Sequence, residues 1–178
     1  MSRRSKTAVV RKTARMSKTD DGALIDWTTI GRERFERLIE ALIPYQHPHG
    51  TLVHPVDGRG GDGGIDALAI EPSEDTEGMV VYRDDPGLVV VYQLKYFPDG
   101  FSGRNKDRQQ QIRRSLRQAI KNVPRMKKWF LVAPCTASNT GWEFLSKLGK
   151  ENHGLENSFI HRGILDGPKW AHHKPGCS

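Results

Sequence analysis

Cysteine is scarce in this chain. Of 178 residues only Cys135 and Cys177 carry a thiol, with no CxxC pair and no Cys/His spacing of the kind that holds zinc. A reduced, cytoplasmic setting is the reading that fits. Long apolar runs are also missing. Nothing approaches the ~20 consecutive apolar residues of a membrane span, and no membrane partner is expected. The apolar fraction is 36% and the mean hydropathy is −0.63. The basic N-terminus has no apolar stretch behind it, which argues against a secretory signal. Its Arg-rich, acid-poor composition would also suit an organelle transit segment, but a flexible basic arm over residues 1–22 is the simpler reading. No internal repeat is visible. The seven histidines form no HExxH motif, so surface positions are expected for them.

Acidic residues are absent from residues 1–18, where Arg3, Arg4, Lys6, Arg11, Lys12, Arg15 and Lys18 stand. Residues 104–128 hold ten more cations against the single acid Asp107. These two blocks contain 17 of the 28 basic residues and leave a remainder with 11 basic and 20 acidic ones. The chain is therefore a mildly acidic body with two basic patches. Such asymmetry points to a polyanionic partner, most often nucleic acid, although basic surface helices also occur without one.

The length suits one domain with a buried core. In "IDWTTIGRERFERLIEALI", Ile30, Phe35, Leu38, Ile39, Leu42 and Ile43 recur at helical spacing, which predicts an amphipathic helix of about four turns ended by Pro44. "TLVHPV" and "GIDALAI" read as short strands, and "GLVVVYQLKYF" as a buried central strand. The polar stretch between the last two reads as an excursion or short hairpin. From Lys106 to about Val123, Ile112, Leu116, Ala119, Ile120 and Val123 form one stripe, so a helix with a basic outer face is expected. "KKWFLVAP" is a further strand, "SNTGWEFLSKLGK" a capped helix and "NSFIHRGI" a last short strand. The order helix, three strands, helix, strand, helix predicts a small mixed sheet with helices on both faces. The expected division is an arm over 1–22, a domain over 23–165 and a tail over 166–178.

"GRGGDGGIDAL" (Gly58 to Leu68) invites three familiar readings, and each fails. Gly58, Gly60 and Gly63 have dinucleotide-loop spacing, but "IDALAI" and Pro72 follow where a helix is required. A P-loop needs a GK[ST] ending. An EF-hand loop needs its ladder of Asp/Asn ligands. What remains is a loop that delivers Asp66 onto a short strand. On the next strand Gln93 and Lys95 are two apart and leave the same face. A lysine on a central strand is costly unless paired or used, and Asp66 is its natural partner. Glu36 or Glu40 on the first helix offers a further carboxylate. Taken singly, each has a plainer reading. Asp66 and Asp62 could shape the turn, Lys95 could guard a sheet edge, and the glutamates could form i,i+4 pairs with Arg32, Arg34 and Arg37.

In that order, "FERLIEAL", "GGDGGIDAL" and "VYQLKYF" resemble the PD-(D/E)XK nuclease superfamily, and more narrowly its Mrr-like restriction endonuclease branch, in which Gln stands in place of the middle acid. The resemblance covers roughly Trp27 to Leu148. It implies an α/β restriction-endonuclease-like core in αβββαβ order and a metal-dependent DNA endonuclease of defence, restriction or phage DNA processing. The cofactor it implies is Mg²⁺, with Mn²⁺ as a substitute. Asp66, Gln93, Lys95 and Glu36 take the catalytic positions, with Glu40 in reserve. Asp66, Gln93, Glu36 and the Leu94 carbonyl stand as metal ligands, and Lys95 as the group that orients water and stabilises charge on the phosphate. Arg104, Lys106, Arg108, Arg113, Arg114 and Arg117 are the expected nucleic-acid contacts. A homodimer or a place in a larger defence or phage assembly is compatible with this reading. The rivals are a non-cutting nucleic-acid-binding module on the same fold and a small basic adaptor.

Overall fold

The computed structural model describes residues 25–56, 64–72, 87–152 and 154–171. The basic arm, most of the Gly-rich loop including Asp62, and the excursion before the central strand lie outside these residues.

Helix α1 (Arg32–Leu42) begins after Gly31, whose φ of 77° breaks the chain direction. It spans three turns rather than four, because the residues before Gly31 form turns and Pro44 enters a 3-10 turn (Ile43–Gln46). Strands β1 (Leu52–Pro55), β2 (Ala67–Ile70) and β3 (Val89–Leu94) then form an antiparallel meander. Helix α2 (Lys106–Asn122) crosses to β4 (Lys128–Val132), and α3 (Asn139–Glu151) crosses to β5 (Glu156–Ile160). Both crossovers join parallel strands, so the five-stranded sheet is mixed, in the order β1-β2-β3-β4-β5. Two four-residue helical turns, α4 (Arg162–Leu165) and α5 (Pro168–Ala171), follow.

Alternation along β3 divides the core. Val91 joins Trp129, Leu131, Ile112, Leu116 and Phe144 beneath α2 and α3. Val90, Tyr92 and Leu94 join Phe35, Ile39 and Trp27 beneath α1. All six β3 residues are buried, as the apolar run predicts for a central strand. Both long helices after it are capped: Asn105 accepts from the Arg108 N–H and, as the sequence suggests, Ser138 from the Gly141 N–H. The packed structure also runs past residue 165, where the sequence suggests a tail. Trp170 is buried in the α1-side core, and Asp166 accepts from the Trp27 indole at 2.7 Å, tying the two ends of the domain together. No helix among the described residues is long and apolar enough to cross a membrane.

Gly64, the last glycine of the Gly-rich stretch, has a specific duty. Its φ is 71°, and an added Cβ would collide with the Ser115 carbonyl oxygen and come within 2.9 Å of the Ala119 nitrogen. The strand bearing Asp66 thus enters the sheet flush against the backbone of α2. Gly64→Ala is expected to lower unfolding stability by roughly 3 kcal/mol, from left-handed strain plus overpacking. Urea denaturation measures this, and an unchanged midpoint would refute the close approach.

Candidate metal and phosphate site

Strands β2 and β3 part just where the chemistry gathers. The last ladder bond there runs from the Asp66 N–H to the Tyr92 carbonyl at 2.9 Å. One step further along β3, the Leu94 N–H faces the gap and has no backbone partner on β2. The Asp66 carboxylate takes it: Oδ2 accepts from the Leu94 N–H at 2.6 Å. The Gln93 side chain donates its Nε2 to the same oxygen. On the other side, the Lys95 N–H bonds to the Val132 carbonyl at 2.9 Å, which holds the strand end against β4.

Gln93 is 2% exposed, and its Oε1 has no hydrogen-bond partner. An ionised carboxylate only accepts, so the amide must turn its nitrogen to Asp66 and leave the oxygen orphaned. Such an atom is costly and asks for a ligand or a cation. Burial raises the Asp66 pKa above the usual aspartate value. The Leu94 N–H and Lys95 oppose that rise, Glu36 adds to it, and Arg32 opposes it. Glu40 is raised as well, first by burial and then by Glu36 and Asp66, with Arg37 opposing. Three carboxylates therefore feel one another across this end of the sheet. Glu36 has a local partner, since Arg32 Nε donates to its Oε1 at 2.7 Å, the i,i+4 pair that the helix spacing allows. Glu40 forms no ion pair among the described residues.

Mg²⁺ takes oxygen ligands, keeps several waters and needs only one or two carboxylates. The oxygens that could meet such a cation here are those of Asp66, the Gln93 Oε1 and a helix carboxylate. Among the described residues no group of three His, Cys, Asp or Glu side chains forms a metal cluster, and the set here differs by using an amide.

A cavity of about 270 Å³ opens beside Lys95, lined also by Arg32, Gln111, Arg114 and Ser115. Its walls combine cations and hydrogen-bonding groups from α1, the end of β3 and α2. The sequence offers Gln111 as a nucleic-acid contact or part of a solvated helix start, and Arg32 as an i,i+4 partner, and marks neither as lining a cavity with Lys95. Their only signal is helical phase, because Gln111, Arg114 and Ser115 stand on adjacent turns of α2.

The basic helix divides into two kinds of arginine. Arg108 holds Asp99 at 2.7 Å, donates to the Gly100 carbonyl and lies 4.7 Å over the Phe97 ring. Arg113 pairs with Glu151 and lies 5.0 Å over Phe144. Both are tied into the fold rather than held out for a partner. Arg104, Lys106, Arg114 and Arg117 are exposed. Surface placement fails for His47, whose side chain is 3% exposed. Its Nδ1 contacts Glu71 Oε1 at 2.7 Å and its Nε2 the Tyr92 hydroxyl at 2.9 Å, a buried network joining the loop after α1 to β3.

No protein-family model matches this chain, and no curated protein is significantly similar to it.

The raised pKa of Asp66 has a measurable sign. A carboxyl whose folded pKa lies above its unfolded value is fully tolerated below the unfolded value, and it lowers stability as pH rises through the folded one. Asp66→Asn removes the charge and keeps an oxygen for the Leu94 N–H. The variant is expected to unfold at higher urea than the wild type at about pH 8, with the gap closing by about pH 4. A gap independent of pH would rule out the buried carboxylate as its cause.

Proposed function

We propose that this chain is a metal-dependent endonuclease of nucleic acid, with DNA as its substrate. The mixed sheet, entered by α1 and extended by the α2 and α3 crossovers, is read as a restriction-endonuclease-like core. One observation carries the proposal: a half-buried carboxylate meets a buried amide whose oxygen is orphaned at the end of β3, and the next residues, Leu94 and Lys95, line a cavity with Arg32 and Arg114.

Asp66 and the Gln93 Oε1 would hold the divalent cation, with Glu36 or Glu40 as the further carboxylate. When bound, Mg²⁺ supplies Lewis-acid polarisation of a phosphate and acidifies water. Lys95 stands at the mouth of the cavity with no ion-pair partner among the described residues. It is therefore placed to steady negative charge that develops on a phosphoryl oxygen and to orient the water that attacks in line. The Leu94 N–H keeps Asp66 from rotating, so the ligand is held before the cation arrives. Arg32, Gln111 and Arg114 line the cavity where the phosphate backbone would run. Contacts of this kind give affinity and register but read no base.

Supercoiled plasmid with Mg²⁺ tests the reading directly. The wild type is expected to nick or linearise it, Asp66→Ala to be inactive, and Lys95→Ala to lose about 10²–10³ in rate. Nicking that survives both substitutions would refute the site. Salt-dependent DNA binding without cleavage would favour the non-cutting module.

The division among the arginines makes a separate prediction. Arg114→Ala is expected to weaken DNA binding and to reduce the slope of log affinity against log salt by about one. Arg113→Ala is expected to lower stability with little change in that slope. Equal slopes for the two variants would remove Arg114 from the interface.

A further inference from the structure

The cations of α2 that have no partner in the fold are not scattered. Arg114, Arg117 and Lys121 recur at i, i+3 and i+7, so they share one face of the helix, and Arg125 continues the row in the turn that follows. All four are exposed, and none makes an ion pair among the described residues. Arg117 donates its Nε to the Arg113 carbonyl at 3.4 Å, which leaves its charge unmatched. Arg108 and Arg113, by contrast, are neutralised by Asp99 and Glu151.

The row has a direction. Arg114 lines the cavity at Lys95. Toward the N-terminus the same face carries Gln110 at i−4 and then Asp107 at i−7, a carboxylate. From Arg114 to Arg125 the chain holds no acid at all. A negative strand that starts in the cavity would therefore meet repulsion one way and attraction the other. Arg114 to Lys121 covers about 10 Å of helix, the axial reach of about three phosphates of one duplex strand. The row consists of Arg and Lys without the apolar centre that a protein interface has.

We propose that one strand of nucleic acid runs from the cavity at Lys95 along the C-terminal half of α2, its successive phosphates meeting Arg114, Arg117, Lys121 and Arg125. The grip is one-sided: the strand is held on one side of the phosphate in the cavity and released on the other. For a nuclease this sets the substrate, which must continue past the cleaved bond by about three to five nucleotides on that side. That cleavage occurs at the start of the track rests on the endonuclease reading, whereas the track itself rests on the row of cations.

Two measurements separate them. With chelator present, duplex binding is followed against salt. Arg117→Ala, Lys121→Ala and Arg125→Ala are each expected to reduce the slope of log affinity against log salt by about one, and the triple variant by about three. Lys169→Ala removes an exposed cation of α5, on the α1 side of the sheet, and is expected to leave the slope unchanged. With Mg²⁺, nicks are mapped along an end-labelled linear duplex. In each strand they are expected to stop about three to five nucleotides short of one end, 5′ or 3′, and to approach the other more closely. The triple variant is expected to lose that asymmetry. A triple-variant slope equal to that of Lys169→Ala overturns the track, whether or not the protein cuts. Wild-type nicks that approach both ends equally overturn its direction. Binding with the expected slopes and no cutting supports the track and removes the endonuclease reading. Polyglutamate stands in for an acidic protein partner, and a triple variant that loses polyglutamate but keeps DNA overturns the proposal.

Discussion

The bond from the Leu94 N–H to the Asp66 carboxylate is the constraint around which this domain is arranged. Where β2 leaves β3, the central strand would expose an unpaired donor inside the protein. A side-chain oxygen takes over from the missing backbone partner, and the sheet can end there without losing a hydrogen bond. The same substitution brings a carboxylate into a half-buried position against Gln93 and Lys95. Ending the β2–β3 ladder and building the site are thus one event. The raised pKa of Asp66 records what this costs: burial, aided by Glu36, outweighs the Leu94 N–H, Lys95 and Arg32.

Helix α2 connects that event to the rest of the fold. Its Ile112, Leu116 and Ala119 anchor the core on one side of the sheet. Its backbone at Ser115 meets Gly64, which lets the Asp66 strand lie close. Its Gln111 and Arg114 face the cavity at Lys95. A shift of this helix would disturb core, strand entry and cavity together. The pairs made by Arg108 and Arg113 hold it in place from the turn before it and from α3.

Much of this was legible because periodicity reports burial. The strand alternation, the apolar stripe of α2 and the cap at Ser138 were all readable, since each depends on residues close in sequence. The meeting of Asp66 with Gln93 could be expected from strand order, whereas the expected pairing of Lys95 with Asp66 is not among the ion pairs of the described residues. Other features depend on contacts distant in sequence. Nothing in residues 43–50 marks His47 as buried, since its partners Glu71 and Tyr92 lie on other elements. Arg108 and Arg113 read as outward-facing cations because net charge does not reveal a partner on a neighbouring turn. Trp170 reads as tail because its burial depends on Trp27, which bonds to Asp166 across the domain.

Charge at the site is deliberately unbalanced in both directions. Burial and the nearby Glu36 carboxylate raise the pKa of both Asp66 and Glu40, while Lys95 and Arg114 lack ion-pair partners among the described residues. Arg32 relieves Glu36, whereas Glu40 forms no ion pair among the described residues. Gln93 stands between the two sets as a neutral group, and its amide oxygen is left without a partner. A carboxylate there would have added a further acidic group beside Asp66, whereas the amide adds no charge and still offers an oxygen. Under the proposed function, an incoming cation would meet the carboxylates on one side and a phosphate diester the cations on the other.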